Sequence, residues 1–213
     1  NFKEPEVSGT DLKAPVYIDF GPTSLSATPW NNITSHQESS TTSWIKDVEN
    51  NYTNIGVRVL DGFTATHAGV GSEPASPVTV DGVEFPLTAW KDGLLVKGEK
   101  NQGDVGPGRI EISQLDVARK YNFTILAIRF NGSKDARISS YKLVGKTESE
   151  VKEVKTGIKD AASFAAANFE EYIAKFENVE PDSEGKVIVE VKGLDTGSAA
   201  EGHINALCIS LAK

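Results

Sequence analysis

The chain has 213 residues, with 22 Lys and Arg against 30 Asp and Glu, one Cys and no Met. Its formal net charge of −8, with no compensating basic cluster, argues against a nucleic-acid partner, because such binding depends on Lys and Arg at phosphates. A single Cys excludes an intramolecular disulfide framework and any multi-cysteine zinc site. No run approaches 18 apolar residues, so the sequence contains no candidate transmembrane helix.

The beginning of the chain differs in composition from the rest. Its first fifteen residues are polar, with two prolines and one glycine. We interpret residues 1–15 as a flexible N-terminal tether and residues 16–213 as a single domain. Because the chain starts at Asn1 and lacks Met, we expect that an export signal, and with it a lipid-anchoring segment, has been removed.

Short runs of β-branched and apolar residues recur along the domain, separated by Gly and Asp turns. The predicted strands cover residues 16–21, 55–60, 94–96, 109–112, 121–130, 138–144, 186–191 and 203–211. The run 121–130 is the longest, which favours a central strand covered on both faces. Many short strands joined by turns indicate an all-β sandwich or barrel.

One segment conflicts with this pattern. Residues 159–175 are rich in Ala and in other strong helix formers, which favours a helix. Polar and apolar residues nevertheless alternate towards its end, which favours a strand. We favour a strand over residues 170–178, with at most a short helical turn before it.

The sequence contains no recognisable catalytic motif. Its histidines, His36, His67 and His203, show no paired metal spacing, and we interpret them as surface or strand-end residues. A G-x-S-x-G elbow, a Walker motif and a GxGxxG motif are all missing from the sequence. Cys208 lies in the last predicted strand, where a small buried apolar residue is expected. We therefore predict no catalytic residue.

Three tryptophans lie in polar stretches that we predict to be loops. They are Trp30, Trp44 and Trp90, each within two residues of an Asn, Asp, Ser or Lys. An indole face covers the C–H face of a pyranose, while amides and carboxylates bind its hydroxyls. Two such rings, each removing about 100 Å² of apolar area from water, give roughly 5 kcal/mol, which after ordering costs leaves millimolar to high-micromolar binding. The alternative is that a Trp at the rim closes the end of the core.

Several motifs in a fixed order resemble a known family. They are 17–21 (YIDFG), 29–33 (PWNNI), 60–63 (LDGF), 121–124 (YNFT), 130–133 (FNGS), 141–145 (YKLVG), 179–182 (VEPD) and 204–207 (INAL). Together they are similar to the galactose-binding-like β-jelly-roll modules, carbohydrate-binding-module-like domains of secreted Bacteroides-type proteins. The resemblance covers about residues 16–211. The sequence departs from it in the loop 64–77, which has no aromatic residue.

The resemblance implies a sandwich of two antiparallel sheets, an exported location and carbohydrate binding. Trp30 and Asn31 match the family pattern, and Arg137 is the best polar anchor that the resemblance implies for a sugar. Many modules of this fold hold a structural calcium ion, for which Asp19 and Asp61 would be the ligands, although no acidic-loop signature accompanies them.

Our leading hypothesis is a non-catalytic, exported carbohydrate-binding module or glycan-associated surface protein. Its partner would be a polysaccharide or oligosaccharide, held by loop aromatics and polar side chains. Its location would be secreted or at the cell surface, as for a lipoprotein of polysaccharide utilisation.

Two alternatives from other classes stay open. The first is a glycan hydrolase or esterase, or the accessory domain of one. This requires a concave site with two carboxylates roughly 5–10 Å apart or a Ser–His contact. The second is a structural or adhesion module that binds protein partners, which requires an exposed apolar patch.

Overall fold

The computed structural model describes residues 11–97, 107–130, 137–194 and 201–213. The strands found there are β1 (Val16–Phe20), β2 (Trp30–Ile33), β3 (Thr41–Thr42), β4 (Gly56–Asp61), β5 (Ala65–His67), β6 (Val78–Val80), β7 (Val83–Phe85), β8 (Gly93–Lys97), β9 (Gly108–Ser113), β10 (Tyr121–Leu126), β11 (Arg129–Phe130), β12 (Ile138–Val144), β13 (Lys152–Lys155), β14 (Gly157–Ile158), β15 (Ile173–Val179), β16 (Val187–Gly193), β17 (Glu201–Ile204) and β18 (Ala206–Leu211). In the described part of the chain, the helical elements are α1 (Leu87–Trp90), α2 (Ala161–Ala165) and a 3-10 turn (Phe169–Tyr172). The predicted all-β class is confirmed.

Two larger sheets form the sandwich. The first has five strands in the order β15-β10-β18-β1-β2, and the second has six strands in the order β13-β12-β16-β9-β4-β3. Neighbouring strands run antiparallel except for the parallel pair β1 and β2. Strands distant in sequence pair with one another, as β1 does with β18. This is a β-sandwich of the jelly-roll type.

The main core lies between the two sheets. In β1 the inward residues Val16, Ile18 and Phe20 are fully buried, because alternate side chains of a strand face the same side. The six-stranded sheet contributes the inward apolar residues of β9 and β16. Leu12 also packs into this core, so the described end of the predicted tether, residues 11–15, is partly anchored to the sandwich. The rest of the predicted tether lies outside the described residues.

A second apolar cluster covers part of the outer face of the five-stranded sheet. Outward residues such as Leu126, Ile173 and Ala206 pack there against residues of the β6–β7 hairpin and both short helices. The outer face of this sheet is therefore covered at one end by the second apolar cluster. The groove described below lies beside that cluster.

Two predicted strands are each divided in the structure, and one residue explains both divisions. The run 121–130 forms β10 and β11, and the run 203–211 forms β17 and β18, with Asn205 between the latter pair. The carboxamide of Asn205 accepts a hydrogen bond from the backbone N–H of Ile128 at 2.8 Å and donates to the carbonyl of Ile128 at 3.0 Å. These bonds replace the ladder bonds that a continuous strand would make at Ile128.

The segment with conflicting patterns contains both structures. α2 is a single turn that begins at the N-cap Asp160, whose carboxylate accepts from the backbone N–H of Ser163 at 2.8 Å. The 3-10 turn follows, and β15 begins at Ile173. The predicted strand is confirmed from residue 173 onward, with its start three residues later than expected.

No helix among the described residues is long and apolar enough to cross a membrane.

Candidate ligand-binding surfaces

Trp90 is part of the core. It lies at the end of α1 rather than in a loop, its side chain is completely buried, and its ring stacks on Phe164 with centroids 4.9 Å apart. The indole N–H donates to the carbonyl of Ser76 at 3.2 Å. A ring with both faces packed has none to offer a sugar, so this structure corrects the interpretation of Trp90 as a loop residue and favours the alternative of core closure.

Trp30 and Asn31 lie in strand β2 rather than in a loop. The half-buried ring of Trp30 contacts Tyr17, opposite to it in β1, with centroids 5.1 Å apart. The carboxamide of Asn31 donates to the carbonyls of Tyr17 and Lys46 and accepts from the backbone N–H of Lys46, all within 2.9 Å. Asn31 therefore joins β1 and β2 to the following hairpin, which is a structural role.

A small groove lies beside Tyr17 on the outer face of the five-stranded sheet. Its volume is about 230 Å³. Its lining is Pro15, Tyr17, Asp81, Val83, Asn122, Phe123, Thr124, Lys175, Phe176, Glu177, Cys208 and Ser210. Burial raises the pKa of the Cys208 thiol, so this residue is a neutral apolar part of the floor, as predicted. Its aromatic side chains, together with hydroxyl, amide and charged groups, could bind a polar ring.

Trp44 and Tyr52 are the exposed aromatic side chains of the described residues. Their exposed fractions are 49% and 48%. Both lie on one segment, residues 43–55, which we name the aromatic hairpin. Tyr52 pairs with Lys46 in an isolated bridge, and the Lys46 ammonium lies 4.8 Å from the centre of the Tyr52 ring.

The aromatic hairpin is held firmly to the sandwich. The buried Ile45 exchanges backbone hydrogen bonds with Thr53 and Ile55. The buried carboxylate of Asp47 accepts from the backbone N–H groups of Glu49 and Asn51 at 3.0 and 2.9 Å, which fixes the turn. Further backbone bonds join the hairpin to the start of β1. The two exposed rings thus project from an anchored backbone.

The backbone of Trp44 is strained. Its φ is +55°, a left-handed conformation that is uncommon for bulky residues. Such outliers cluster at ligand sites, so an observed outlier motivates a functional hypothesis.

Arg137 is not on the surface. Its side chain is 4% exposed, and its Nη2 lies 3.2 Å from Oε2 of Glu201. His203 Nε2 lies 3.5 Å from the same Glu201 oxygen, and the His203 ring meets the His67 ring edge to face with centroids 5.0 Å apart. Arg129 completes the group, with Nη1 3.4 Å from His67 Nδ1. We name these five residues the arginine–histidine cluster.

The electrostatics of this cluster are those of a buried, electropositive site. Burial lowers the pKa of His67 well below its usual value, and His203 and the two arginines add to the effect. Burial likewise lowers the pKa of His203. Interactions with His203, and then with the arginines, hold the pKa of Glu201 at about 2. At neutral pH both imidazoles are uncharged and Glu201 is ionised.

The two predicted metal ligands lie in different sheets. Asp61 forms an ion pair with Arg109 at 2.5 Å, whereas Asp19 is completely buried and accepts from the backbone N–H of Ser26 at 3.0 Å. The described residues contain no group of three or more His, Cys, Asp or Glu that could hold a metal ion. The structure therefore does not bring Asp19 and Asp61 together as a calcium site.

Asp19 instead has Asp92 as its acidic neighbour. Both carboxylates are fully buried, and burial, with Asp92 adding, raises the pKa of Asp19 to about 7. The structure describes no hydrogen bond between a Ser hydroxyl and a His ring. Because the Asp19–Asp92 pair is enclosed, it cannot reach a glycosidic bond as an acid/base pair would.

Three residues of these sites, Tyr52, Arg129 and Glu201, were not predicted from the sequence. Tyr52 follows Asn50-Asn51 in a polar stretch, the same pattern that marked the tryptophans, so the sequence did contain a signal for it. Arg129 and Glu201 carry no such signal, since only the pairing of β17 with β8 and of β11 with β14 brings them near Arg137. His67, interpreted as a surface or strand-end residue, lies at the end of β5 and is buried.

No protein-family model matches this sequence, and no curated protein matches it. Solved structures do show a similar fold. The ANX2 ectodomain from Arabidopsis thaliana is 9% identical, with a TM-score of 0.53 over 98% of this chain and 55% of that one. The ANXUR1 extracellular domain from the same plant is 10% identical, with a TM-score of 0.51 over 99% of this chain and 55% of that one. This chain thus spans about half the length of these ectodomains.

A third structure, TmCBM61 in complex with β-1,4-galactotriose, is 11% identical, with a TM-score of 0.29 over 71% of this chain and 90% of that one. At that score the similarity carries no argument about this chain. The two plant ectodomains establish the fold alone. The class that the comparisons and the structure define is an all-β sandwich.

Proposed function

We propose that this protein is a non-catalytic carbohydrate-binding module, and that the aromatic hairpin is its glycan-binding surface. The observation that carries the proposal is that two half-exposed aromatic side chains, Trp44 and Tyr52, lie on one anchored hairpin. Stacking of pyranose rings on such exposed aromatics removes apolar area from water without requiring a deep pocket.

The polar groups of the hairpin suit sugar hydroxyls. Asn50 and Asn51 at the turn are exposed, and Lys46 projects over the Tyr52 ring. Amide and ammonium groups beside an aromatic ring provide hydrogen bonds at the edge of a stacked sugar. The strained backbone of Trp44 supports the same role, because a glycine or asparagine would fit this φ at lower cost.

The predicted residues divide accordingly. Trp44 is retained as a stacking residue and Tyr52 joins it. Trp30 packs against Tyr17, which lines the groove on the outer face of the sheet, and we propose this groove as a secondary contact. Trp90 and Asn31 serve the fold. An extracellular location is consistent with the plant ectodomains of similar fold.

Affinity electrophoresis against a panel of neutral and acidic polysaccharides tests the proposal. We expect at least one polysaccharide to retard the wild-type protein, and expect Trp44→Ala and Tyr52→Ala each to weaken binding at least tenfold. This follows from losing about 100 Å² of stacking area per ring. The matched control is Leu25→Ala, because Leu25 is an exposed apolar residue (59%) outside the hairpin. Retardation that neither aromatic substitution changes would overturn the assignment of the surface.

A further inference from the structure

The arginine–histidine cluster has far more hydrogen-bond donors than acceptors. Among the described residues, ten buried side-chain polar atoms lack a hydrogen-bond partner, and seven of them lie in or beside this cluster. They are His67 Nε2, Arg129 Nε, Arg137 Nε and Nη1, Thr156 Oγ1, and His203 Nδ1 and Nε2. Leaving a buried polar group unpaired costs about 1–3 kcal/mol, so such a concentration of unpaired donors and acceptors in one place requires an explanation.

The backbone brings these unpaired polar atoms together. The N–H of Arg129 donates to the carbonyl of Thr156 at 2.6 Å, and the N–H of Thr156 donates to the carbonyl of Arg137 at 2.9 Å. The two arginines are therefore held on either side of one buried threonine. On the other side, β5 and β17 flank β8, so that His67 faces Gly93 and His203 faces Leu95.

Glycine at position 93 makes room for the histidine. A Cβ there would lie 2.9 Å from His67 Nε2 and 2.5 Å from the carbonyl of Ile204. The ring of His67 thus turns into the cluster rather than out to solvent. The cluster reaches the surface through the half-buried Arg129 and through Glu201, whose side chain is 22% exposed.

The charges in the cluster do not balance. Among the described residues, the two guanidinium groups share one carboxylate within the cluster, that of Glu201, whose Oε2 lies 3.2 Å from Nη2 of Arg137 and 3.5 Å from Nε2 of His203. A further acidic neighbour in the described part of the chain is Glu73, near Arg129, and its carboxylate is bound to the backbone N–H groups of Val70 and Gly71 on an exposed loop. Burial, and then the neighbouring Arg137, lowers the pKa of Arg129.

We propose that the arginine–histidine cluster binds an oxyanion, a carboxylate or sulfate group, between Arg129 and Arg137. The unpaired Nε and Nη1 of Arg137 and the Nε of Arg129 are charge-assisted donors suited to a planar or tetrahedral oxyanion. The Thr156 hydroxyl and the imidazole N–H groups supply neutral donors. The proposed site differs from the aromatic hairpin in the ligand it would bind and in its position. The hairpin is bonded to the start of β1. The cluster lies near the other end of β1, where the N–H of Phe20 donates to the carbonyl of Asn205, two residues after His203.

The ligand group has two sources, a free small anion or the acidic group of a sugar. We would titrate the whole protein with sulfate, acetate, D-glucuronate and the neutral control D-galactose, with chloride at matched ionic strength. The readouts are the melting temperature and the NMR signals of the two buried imidazoles. We expect the anions, but not galactose, to raise the melting temperature and to shift the signals of both His67 and His203.

Three variants locate the effect. Arg129→Gln should weaken anion binding at least fivefold. The control Arg119→Gln, an exposed arginine paired with Asp116, should leave it unchanged. Glu201→Gln removes the resident competing carboxylate while keeping an oxygen for Arg137, so anion binding should become several-fold tighter. A purely structural ion pair would give no such gain.

The relative affinities for these anions show which of the two sources supplies the ligand group, and the imidazole signals decide whether an anion binds. Glucuronate that binds tenfold more tightly than acetate assigns the group to an acidic sugar, and equal affinities assign it to a free anion. The proposal is overturned if no anion shifts the imidazole signals in the wild-type or Glu201→Gln protein. It is also overturned if Arg129→Gln binds as the wild type does.

Discussion

Single residues in this fold are held in conformations and charge states that their chemistry alone would not favour. Trp44 adopts a positive φ, and Asp19 is a carboxyl group enclosed without a basic partner among its described hydrogen bonds. Each of these residues carries a local free-energy cost that the rest of the sandwich offsets. A substitution at that residue alone measures the cost.

The strain at Trp44 predicts a difference between two substitutions that both remove the ring. Glycine adopts a positive φ freely, whereas alanine does not. We expect Trp44→Gly to be more stable than Trp44→Ala by about 1 kcal/mol, measured by urea unfolding with parallel slopes. Equal stabilities, or a more stable alanine variant, would show that residue 44 is not strained.

The enclosed carboxyl of Asp19 predicts a pH effect. Burial, and then Asp92, raises the pKa of Asp19 in the folded protein to about 7, against about 4 in the unfolded chain. The folded state therefore prefers protonated Asp19, and this contribution is complete below pH ~4 and is lost as the pH rises to about 7. At about 1.4 kcal/mol per unit the loss reaches up to about 4 kcal/mol.

Comparison with Asp19→Asn isolates this contribution. The amide keeps an acceptor for the backbone N–H of Ser26, which Asp19 Oδ2 now accepts, and it does not titrate. His67 and His203 have lowered pKa values, so they add stability as the pH rises through about 6.5. The pH dependence of the wild-type free energy of unfolding therefore combines their contributions with that of Asp19. The free-energy difference between the variant and the wild type should grow in favour of Asn from pH 4 to 7. If the free energies of unfolding of the two proteins changed in parallel with pH, the predicted contribution of Asp19 would be refuted.

At the scale of elements, the fold depends on a few polar side chains that join strands from different sheets. Asn205 is the clearest example. Its carboxamide donates to the carbonyls of Trp90 and Asp92 at 2.8 and 2.7 Å, in addition to its two bonds with Ile128, and it is completely buried. It thereby connects α1, the start of β8 and the end of β10.

Removing this carboxamide should be costly. Asn205→Ala leaves several buried backbone groups unpaired, so we expect a loss of at least about 3 kcal/mol in the free energy of unfolding. Asn168→Ala is the control, because it removes one exposed capping bond to Glu170 and should cost about 1 kcal/mol or less. A loss at Asn205 no larger than at Asn168 would contradict its role as a connector.

The same residue shows why element boundaries were harder to predict than element types. Alternation of apolar and polar residues predicted β1, β12 and β16 closely, because those strands bury one face against the core. The runs 121–130 and 203–211 are equally apolar, and only the tertiary bonds of Asn205 interrupt them. Short elements such as α1 and the β6–β7 hairpin also escaped prediction, since packing rather than sequence period stabilises them.

The candidate site was predictable to a smaller degree than the fold. Trp30, Trp44 and Trp90 share the same polar surroundings in sequence, yet they are half-buried, exposed and fully buried, respectively. That difference arises from which sheet face or hairpin each residue occupies, and neighbouring residues do not encode it. Arg137, predicted as a polar anchor for a sugar, is buried and paired with Glu201, and its partners come from distant strands.

At the scale of the whole molecule, two candidate sites of different chemistry, one exposed and one largely buried, lie near opposite ends of β1. The aromatic hairpin suits stacked sugars, and the arginine–histidine cluster offers donors to an anion within a protein whose net charge is −8. Such a charge opposes the approach of anions in general, so an anion would bind here through local donors rather than through the overall field. The sandwich acts as a rigid support for both surfaces.

The central claim is that the aromatic hairpin binds glycan by stacking, and a calorimetric titration tests it most directly. The wild type, Trp44→Phe and Trp44→Ala would be titrated with the polysaccharide that retards the wild type most. We predict a graded loss, a few-fold weaker for Phe and at least tenfold weaker for Ala, because the stacking area decreases in that order. Equal dissociation constants for the wild type and Trp44→Ala would contradict the account.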